Sequence, residues 1–154
     1  MVIEVGDKAP ALTLPAAGGG TVSLAKLKGK IVVAYFYPKD DTSGCTKEAE
    51  GFRDVYARLT KAGAAVLGIS KDSVASHDKF RKKYDLPFPL LSDAEGTACE
   101  AFGTWVEKSL YGRKYMGIER ATFLIDGKGV VRRIWRKVKV PGHIDDVVAA
   151  VKAL

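Results

Sequence analysis

Two continuous apolar runs, Ile31–Phe36 and Ala64–Ser70, separated by one long helical pattern, most constrain what this chain can fold into. A run without alternation marks a strand covered on both faces. Between the runs, Phe52, Val55, Tyr56 and Leu59 fall on one face of a helix expected from about Thr42 to Lys61. Further on, a basic helix is expected over Ser73–Tyr84, a short strand at Leu90-Leu91 and a small helix over Asp93–Phe102, ended by Gly103. Ala121–Asp126 reads as a strand, Asp126-Gly127 as a hairpin turn signal, and Gly129–Lys139 as its partner strand. A last helix is expected from about Ile144 to Leu154. Near the start, Gly18-Gly19-Gly20 separates Ala11–Leu14 from Thr21–Leu24 and reads as a hairpin turn. Strands alternating with helices give an α/β fold with a mixed central sheet flanked by helices.

The chain has 154 residues, with no linker, repeat or low-complexity segment, so residues 1–154 are expected to form one domain. No apolar run approaches the roughly 20 residues that span a bilayer. The N-terminus lacks a basic segment followed by an apolar core, so a cytosolic protein is expected. Two cysteines, Cys45 and Cys99, make no disulfide framework for this length. The histidines, His77 and His143, are isolated in sequence and read as surface or capping residues rather than metal ligands. No metal and no cofactor are expected. The net charge is +7, part of it in Lys128–Lys139 and part in Lys79–Lys83. Nucleic acid would be one partner for such charge. With no nucleic-acid motif present, a solvated sheet edge and helix face are the better account.

Cys45 stands where the first strand gives way to the helix. Unpaired N–H groups and the positive end of the helix dipole favour a thiolate there, and the thiolate is the reactive form. The spacing Pro38-x-x-x-Thr42-x-x-Cys45 resembles the active-site motif of the peroxiredoxins. The wider string Tyr37–Asp54 and the block Gly112–Asp126 are similar to the subgroup called bacterioferritin comigratory protein, or peroxiredoxin Q. The resemblance covers nearly the whole chain and implies a thioredoxin-like fold.

It also implies roles. Cys45 attacks the O–O bond of hydrogen peroxide or an organic hydroperoxide and becomes a sulfenic acid. Arg120 supplies a cation over the sulfur, Thr42 hydrogen-bonds the peroxide, and N–H groups near Gly44 and Cys45 bind the other oxygen. Pro38 closes one side of the pocket, and Glu48, on the face of Cys45, pairs with the active-site Arg. Arg53 is a lesser candidate for a second cation. Taken singly, each residue has a plainer reading. Pro38 ends a strand, Thr42 is an N-cap, Arg120 is a surface residue paired with Glu119, and Glu48 is a first-turn acid.

The pattern departs from the subgroup at two places. Ser43 replaces a usual Pro, and Glu50 stands five residues after Cys45, where many members carry a resolving Cys. Cys99 is the remaining candidate for resolving the sulfenic acid, against a buried structural role. A one-cysteine cycle is expected, with an external reductant such as thioredoxin, glutaredoxin or a low-molecular-weight thiol, in a monomer or weak dimer. The other readings are a peroxide sensor that relays oxidation to a partner through the same Cys45, and a basic binding or holdase protein that needs no Cys45.

Overall fold

The computed structural model describes residues 3–154. Both apolar runs form strands in the middle of a five-stranded sheet. With β1 at Thr13–Pro15 and β2 at Thr21–Ser23, the runs are β3 (Ile31–Phe36) and β4 (Ala64–Ser70), paired in parallel. Joining them is α1 (Ser43–Lys61). Its buried residues Cys45, Glu48, Ala49, Phe52, Val55 and Leu59 recur every three or four positions, so one stripe faces the sheet. The helix stops at Ala62, and Gly63 takes the left-handed conformation (φ 84°) that ends a helix without a Cβ penalty.

The sheet grows outward on both sides. β5 (Leu90–Ser92) follows α2 (Val74–Lys83) and pairs parallel with β4. α3 (Thr97–Ala101) leads to β6 (Trp105–Leu110) and β7 (Arg113–Ile118), which among the described residues pair only with each other. β8 (Ala121–Ile125) then inserts antiparallel beside β3, β9 (Val131–Trp135) forms the edge, and α4 (His143–Lys152) closes the described fold. The order β5-β4-β3-β8-β9, parallel on one side and antiparallel on the other, is the expected mixed sheet flanked by helices. The β1–β2 hairpin turns through Gly18, Gly19 and Gly20, all at positive φ, as their composition implied.

Three expectations change. β9 is shorter than the Gly129–Lys139 span, and Asp126 and Gly129 close its turn through the Gly129 N–H to Asp126 O bond of 3.0 Å. The β6–β7 hairpin has no counterpart in the sequence reading. Its strands are mostly exposed, and Leu110, Tyr111, Tyr115 and Met116 face solvent, so no clean alternation announces it. The histidines are not surface residues, since His77 and His143 are both buried.

Successive residues of β3 point to opposite faces. Val33 and Tyr35 pack with Cys45, Phe52, Leu59 and Val151 on the α1–α4 side. Val32, Ala34 and Phe36 pack with Cys99, Phe102 and Phe123 on the other. On that second face the three phenylalanine rings meet with centroids 5.1 to 5.7 Å apart. Burying each such ring contributes about 1.5–3 kcal/mol. On the first face, Gly51 of α1 lets α4 approach, because a Cβ there would lie 2.6 Å from Ile144 Cγ1.

Candidate active site

Cys45 lies in the first turn of α1, just past the C-terminal end of the central strand β3, and is 1% exposed. Thr42 is the N-cap, but its side chain makes no cap bond and no acidic residue occupies the first turn. A helix leaves its first N–H groups without internal partners, so here they stay available to an anion. Thr42 Oγ1 donates instead to Lys39 O, at 3.0 Å. With its proton so engaged, the hydroxyl presents its lone pairs as an acceptor. Pro38 and Thr42 are both exposed, on the loop that leads into the helix.

Arg120 arrives from the neighbouring strand, one residue before β8. Its Nη2 lies 3.2 Å from Cys45 Sγ, and its Nη1 lies 2.7 Å from Glu48 Oε1. One guanidinium fork therefore spans the sulfur and the carboxylate, a geometry Lys cannot reproduce. Gly44 makes room for it, since a Cβ there would sit 3.2 Å from Arg120 Nη2. Glu48 is fully buried beneath this pair, and its Oε2 has no hydrogen-bond partner among the described residues. Burial pushes its carboxyl up to about 7, against the pull of Arg120 in the other direction. Tyr35, also fully buried with its hydroxyl unpaired, is held well above the usual phenol range by burial first and then by Glu48 and Cys45.

The structure thus gathers Cys45, Thr42, Arg120 and Glu48 at one end of the sheet. The plainer pairing of Arg120 with Glu119 does not occur, because Glu119 lies 3.6 Å from Arg136 Nη1. Arg53 is turned away, donating to Tyr84 O at 2.8 Å, and Glu50 sits 3.7 Å from it. Lys108 of β6 is a neighbour that sequence reasoning missed. Partial burial, and then the charge of Arg120, hold its ammonium below the usual lysine range. It belongs to the unforeseen hairpin, so no local pattern pointed to it.

Cys99 lies in the core of the opposite face, so the sheet itself stands between the two thiols. Burial, and then a hydrogen bond to Asp93, push its thiol up to about 12, which suits an inert core residue. Asp40, Asp72 and His77 are the one group of three metal-type side chains found close together among the described residues. Their ligand atoms are already hydrogen-bonded to one another and to neighbouring groups.

The mixed sheet flanked by helices is a thioredoxin-like fold, and the similarities to known proteins define its class as a thiol peroxidase. The AhpC/TSA family model matches residues 5–134, and the chain belongs to this family, within its Bcp (peroxiredoxin Q) peroxiredoxins. It is 62% identical over 148 residues to a Coxiella burnetii protein provisionally named peroxiredoxin bcp, covering 96% of this chain and 98% of that one. It is 49% identical over 152 residues to peroxiredoxin Bcp of Bacillus subtilis, covering 99% and 97%. Among solved structures, peroxiredoxin Q of Xanthomonas campestris superposes with a TM-score of 0.89 at 48% identity, covering 92% and 90%. A Cys-to-Ser mutant of PrxQ from Xylella fastidiosa gives 0.94 at 38% identity, covering 99% and 98%. The protein is a peroxiredoxin, an enzyme that reduces peroxides at the expense of thiols.

Proposed function

We propose that Cys45 is the peroxidatic sulfur and that the enzyme runs a one-cysteine cycle. The supporting observation is the Arg120 guanidinium 3.2 Å from Cys45 Sγ. The thiolate attacks the distal oxygen of a hydroperoxide, the S–O bond forms as the O–O bond breaks, and the departing oxygen leaves as an alcohol or water after taking a proton. Arg120 and the first-turn N–H groups stabilise negative charge on the two oxygens as it shifts between them. Thr42 accepts the peroxide O–H, and Pro38 bounds the approach from the loop side. Glu48 fixes the second arm of the Arg120 fork.

The sulfenic acid is then reduced by an external thiol. Glu50 is the residue five positions after Cys45, and Cys99 is buried across the sheet, which is what supports an external reductant. A relative, the bacterioferritin comigratory protein of X. campestris, is described through its alkyl peroxide reduction activity. Alkyl hydroperoxides, along with hydrogen peroxide, are accordingly proposed as substrates. The proposed setting is the cytoplasm, with residues 1–154 working as one domain in a monomer or weak dimer. Cys45→Ser is expected to abolish peroxide consumption while leaving the circular dichroism spectrum unchanged, and activity surviving in that variant removes this reading.

A further inference from the structure

The loop Pro38–Thr42, which delivers the chain to Cys45, is exposed except at Asp40, and Asp40 is 8% exposed. Its carboxylate is gripped from three directions. Oδ1 accepts from Tyr37 Oη at 2.6 Å. Oδ2 accepts from Ser76 Oγ at 2.8 Å and lies 2.7 Å from His77 Nδ1. Its backbone N–H donates to Asp72 Oδ2 at 2.9 Å, and Asp72 is itself held by Ser70 Oγ at 2.6 Å. His77 is completely buried.

His77 Nε2 lies 2.9 Å from Leu91 O, and a carbonyl oxygen can only accept, so Nε2 carries a hydrogen. A second proton must then lie between Nδ1 and Asp40 Oδ2, since two lone pairs would repel at 2.7 Å. A buried, proton-sharing pair of this kind contributes little net stability compared with apolar residues of the same shape. What it does provide is a fixed geometry, and the segment it fixes is catalytically placed. The buried stripe of α1 begins at Cys45, so it does not itself hold the exposed loop in front of it. The residue after Asp40 is restrained from the same helix α2. Asp41, at a left-handed φ of 57°, takes bonds from Lys83 Nζ at 2.8 Å and Tyr84 Oη at 2.6 Å. Thr42 follows, and then the turn that carries Cys45.

We propose that Asp40 and His77 are positioning residues of the peroxidase site. Their shared-proton contact ties the active-site loop to α2 and sets where the Thr42 hydroxyl and the first-turn N–H groups meet a peroxide that Arg120 approaches from the opposite side. Neither residue touches the reacting atoms. The proposal rests on Cys45 being the peroxidatic sulfur, but its test has a separate outcome. If Cys45 of the unaltered protein forms no sulfenic acid, the peroxidatic reading fails. If it does and the variants below behave like it, only the positioning role fails.

The experiment compares two reactions of Cys45 in the same samples: single-turnover oxidation by hydrogen peroxide, and alkylation by iodoacetamide. Peroxide transfer needs several donors and acceptors aligned on two oxygens, whereas alkylation needs little beyond the thiolate. His77→Gln is expected to slow oxidation at least roughly tenfold while leaving alkylation within about twofold, as misplacement of a reacting group does. Tyr37→Phe and Ser76→Ala each remove one bond to Asp40 without changing the shape of the core. They are expected to slow oxidation by a few-fold with the same selectivity, and they decide the matter if His77→Gln fails to fold. In proton NMR spectra of the unaltered protein, two slowly exchanging hydrogens should be assigned to the His77 contacts, one on Nε2 and one shared between Nδ1 and Asp40. Oxidation and alkylation slowed in equal proportion, oxidation at the rate of the unaltered protein in all folded variants, or absence of the hydrogen shared with Asp40 would each overturn the proposal.

Discussion

Arg120 Nη2 and Cys45 Sγ are held 3.2 Å apart although 75 positions separate them in the chain. The contact exists because β8 inserts beside β3, pairing Ala121 with Phe36 at the end of the strand from which the Cys45 loop departs. Replacing Arg120 by Met should slow sulfenic acid formation at Cys45 by about 10²- to 10³-fold, the usual cost of removing a donor aimed at developing charge. Arg120→Lys should recover only part, because one ammonium cannot span the sulfur and Glu48 together. Trapping with a sulfenic-acid reagent after rapid mixing measures the rate, and an unaltered rate in Arg120→Met would remove its role.

One equivalent of peroxide should add one oxygen to Cys45 in intact-mass spectra, with no loss of two hydrogens. Cys99→Ser should turn over as the unaltered protein does with an external thiol. A peptide map joining Cys45 to Cys99 would reverse this and would require the sheet between them to open.

Acid stability should depend on two buried groups acting in opposite senses. Glu48, raised to about 7 from 4.5, contributes stability that is complete below about pH 4.5 and lost as pH rises through 7. His143, lowered to about 4 from 6.5 mainly by burial, contributes stability that is complete above about pH 6.5 and lost as pH falls through 4. Between pH 4.5 and 6.5 the two slopes oppose each other. Glu48→Gln should therefore make the protein lose stability more steeply on acidification, and His143→Gln should make it lose less or gain. Urea unfolding at half-unit pH steps reads both slopes, and parallel profiles for all three proteins would contradict the assignment.

Gly51→Ala should destabilise by about 1–3 kcal/mol, as overpacking does. The new methyl meets Ile144 Cγ1 at 2.6 Å, where α1 and α4 cross. Pairing it with Ile144→Ala, which removes Cγ1, should cost less than the two changes summed. If the single variant unfolds at the same urea concentration as the unaltered protein, α4 is not packed as described.

What was legible in the sequence was local. Ile31–Phe36 and Ala64–Ser70 announce buried strands because all their residues but the half-buried Ile31 and Ala65 are covered, and Cys45 falls at a helix start whose backbone geometry is set within a few residues. The Trp105–Ile118 hairpin was not legible, since it leaves Leu110, Tyr115 and Met116 exposed and pairs with nothing else. The burial of His77 was equally hidden, because Asp40 lies 37 positions earlier. Glu48 by itself reads as an ordinary helix acid. Its contact with Arg120 spans 72 positions and was expected only through resemblance to a family.

The partition of Cys45 and Cys99 between the two faces of the sheet has a consequence for traffic through the enzyme. On the proposed cycle each chain stores a single oxidising equivalent and cannot hand it to itself. Every turnover then ends in a collision with another molecule, so at low reductant the rate follows reductant supply rather than any rearrangement within the chain. Between collisions the oxidised sulfur waits, exposed to a second peroxide. On that cycle, the layer of β3 side chains that keeps the thiols apart sets how much peroxide the enzyme can meet before it disables itself.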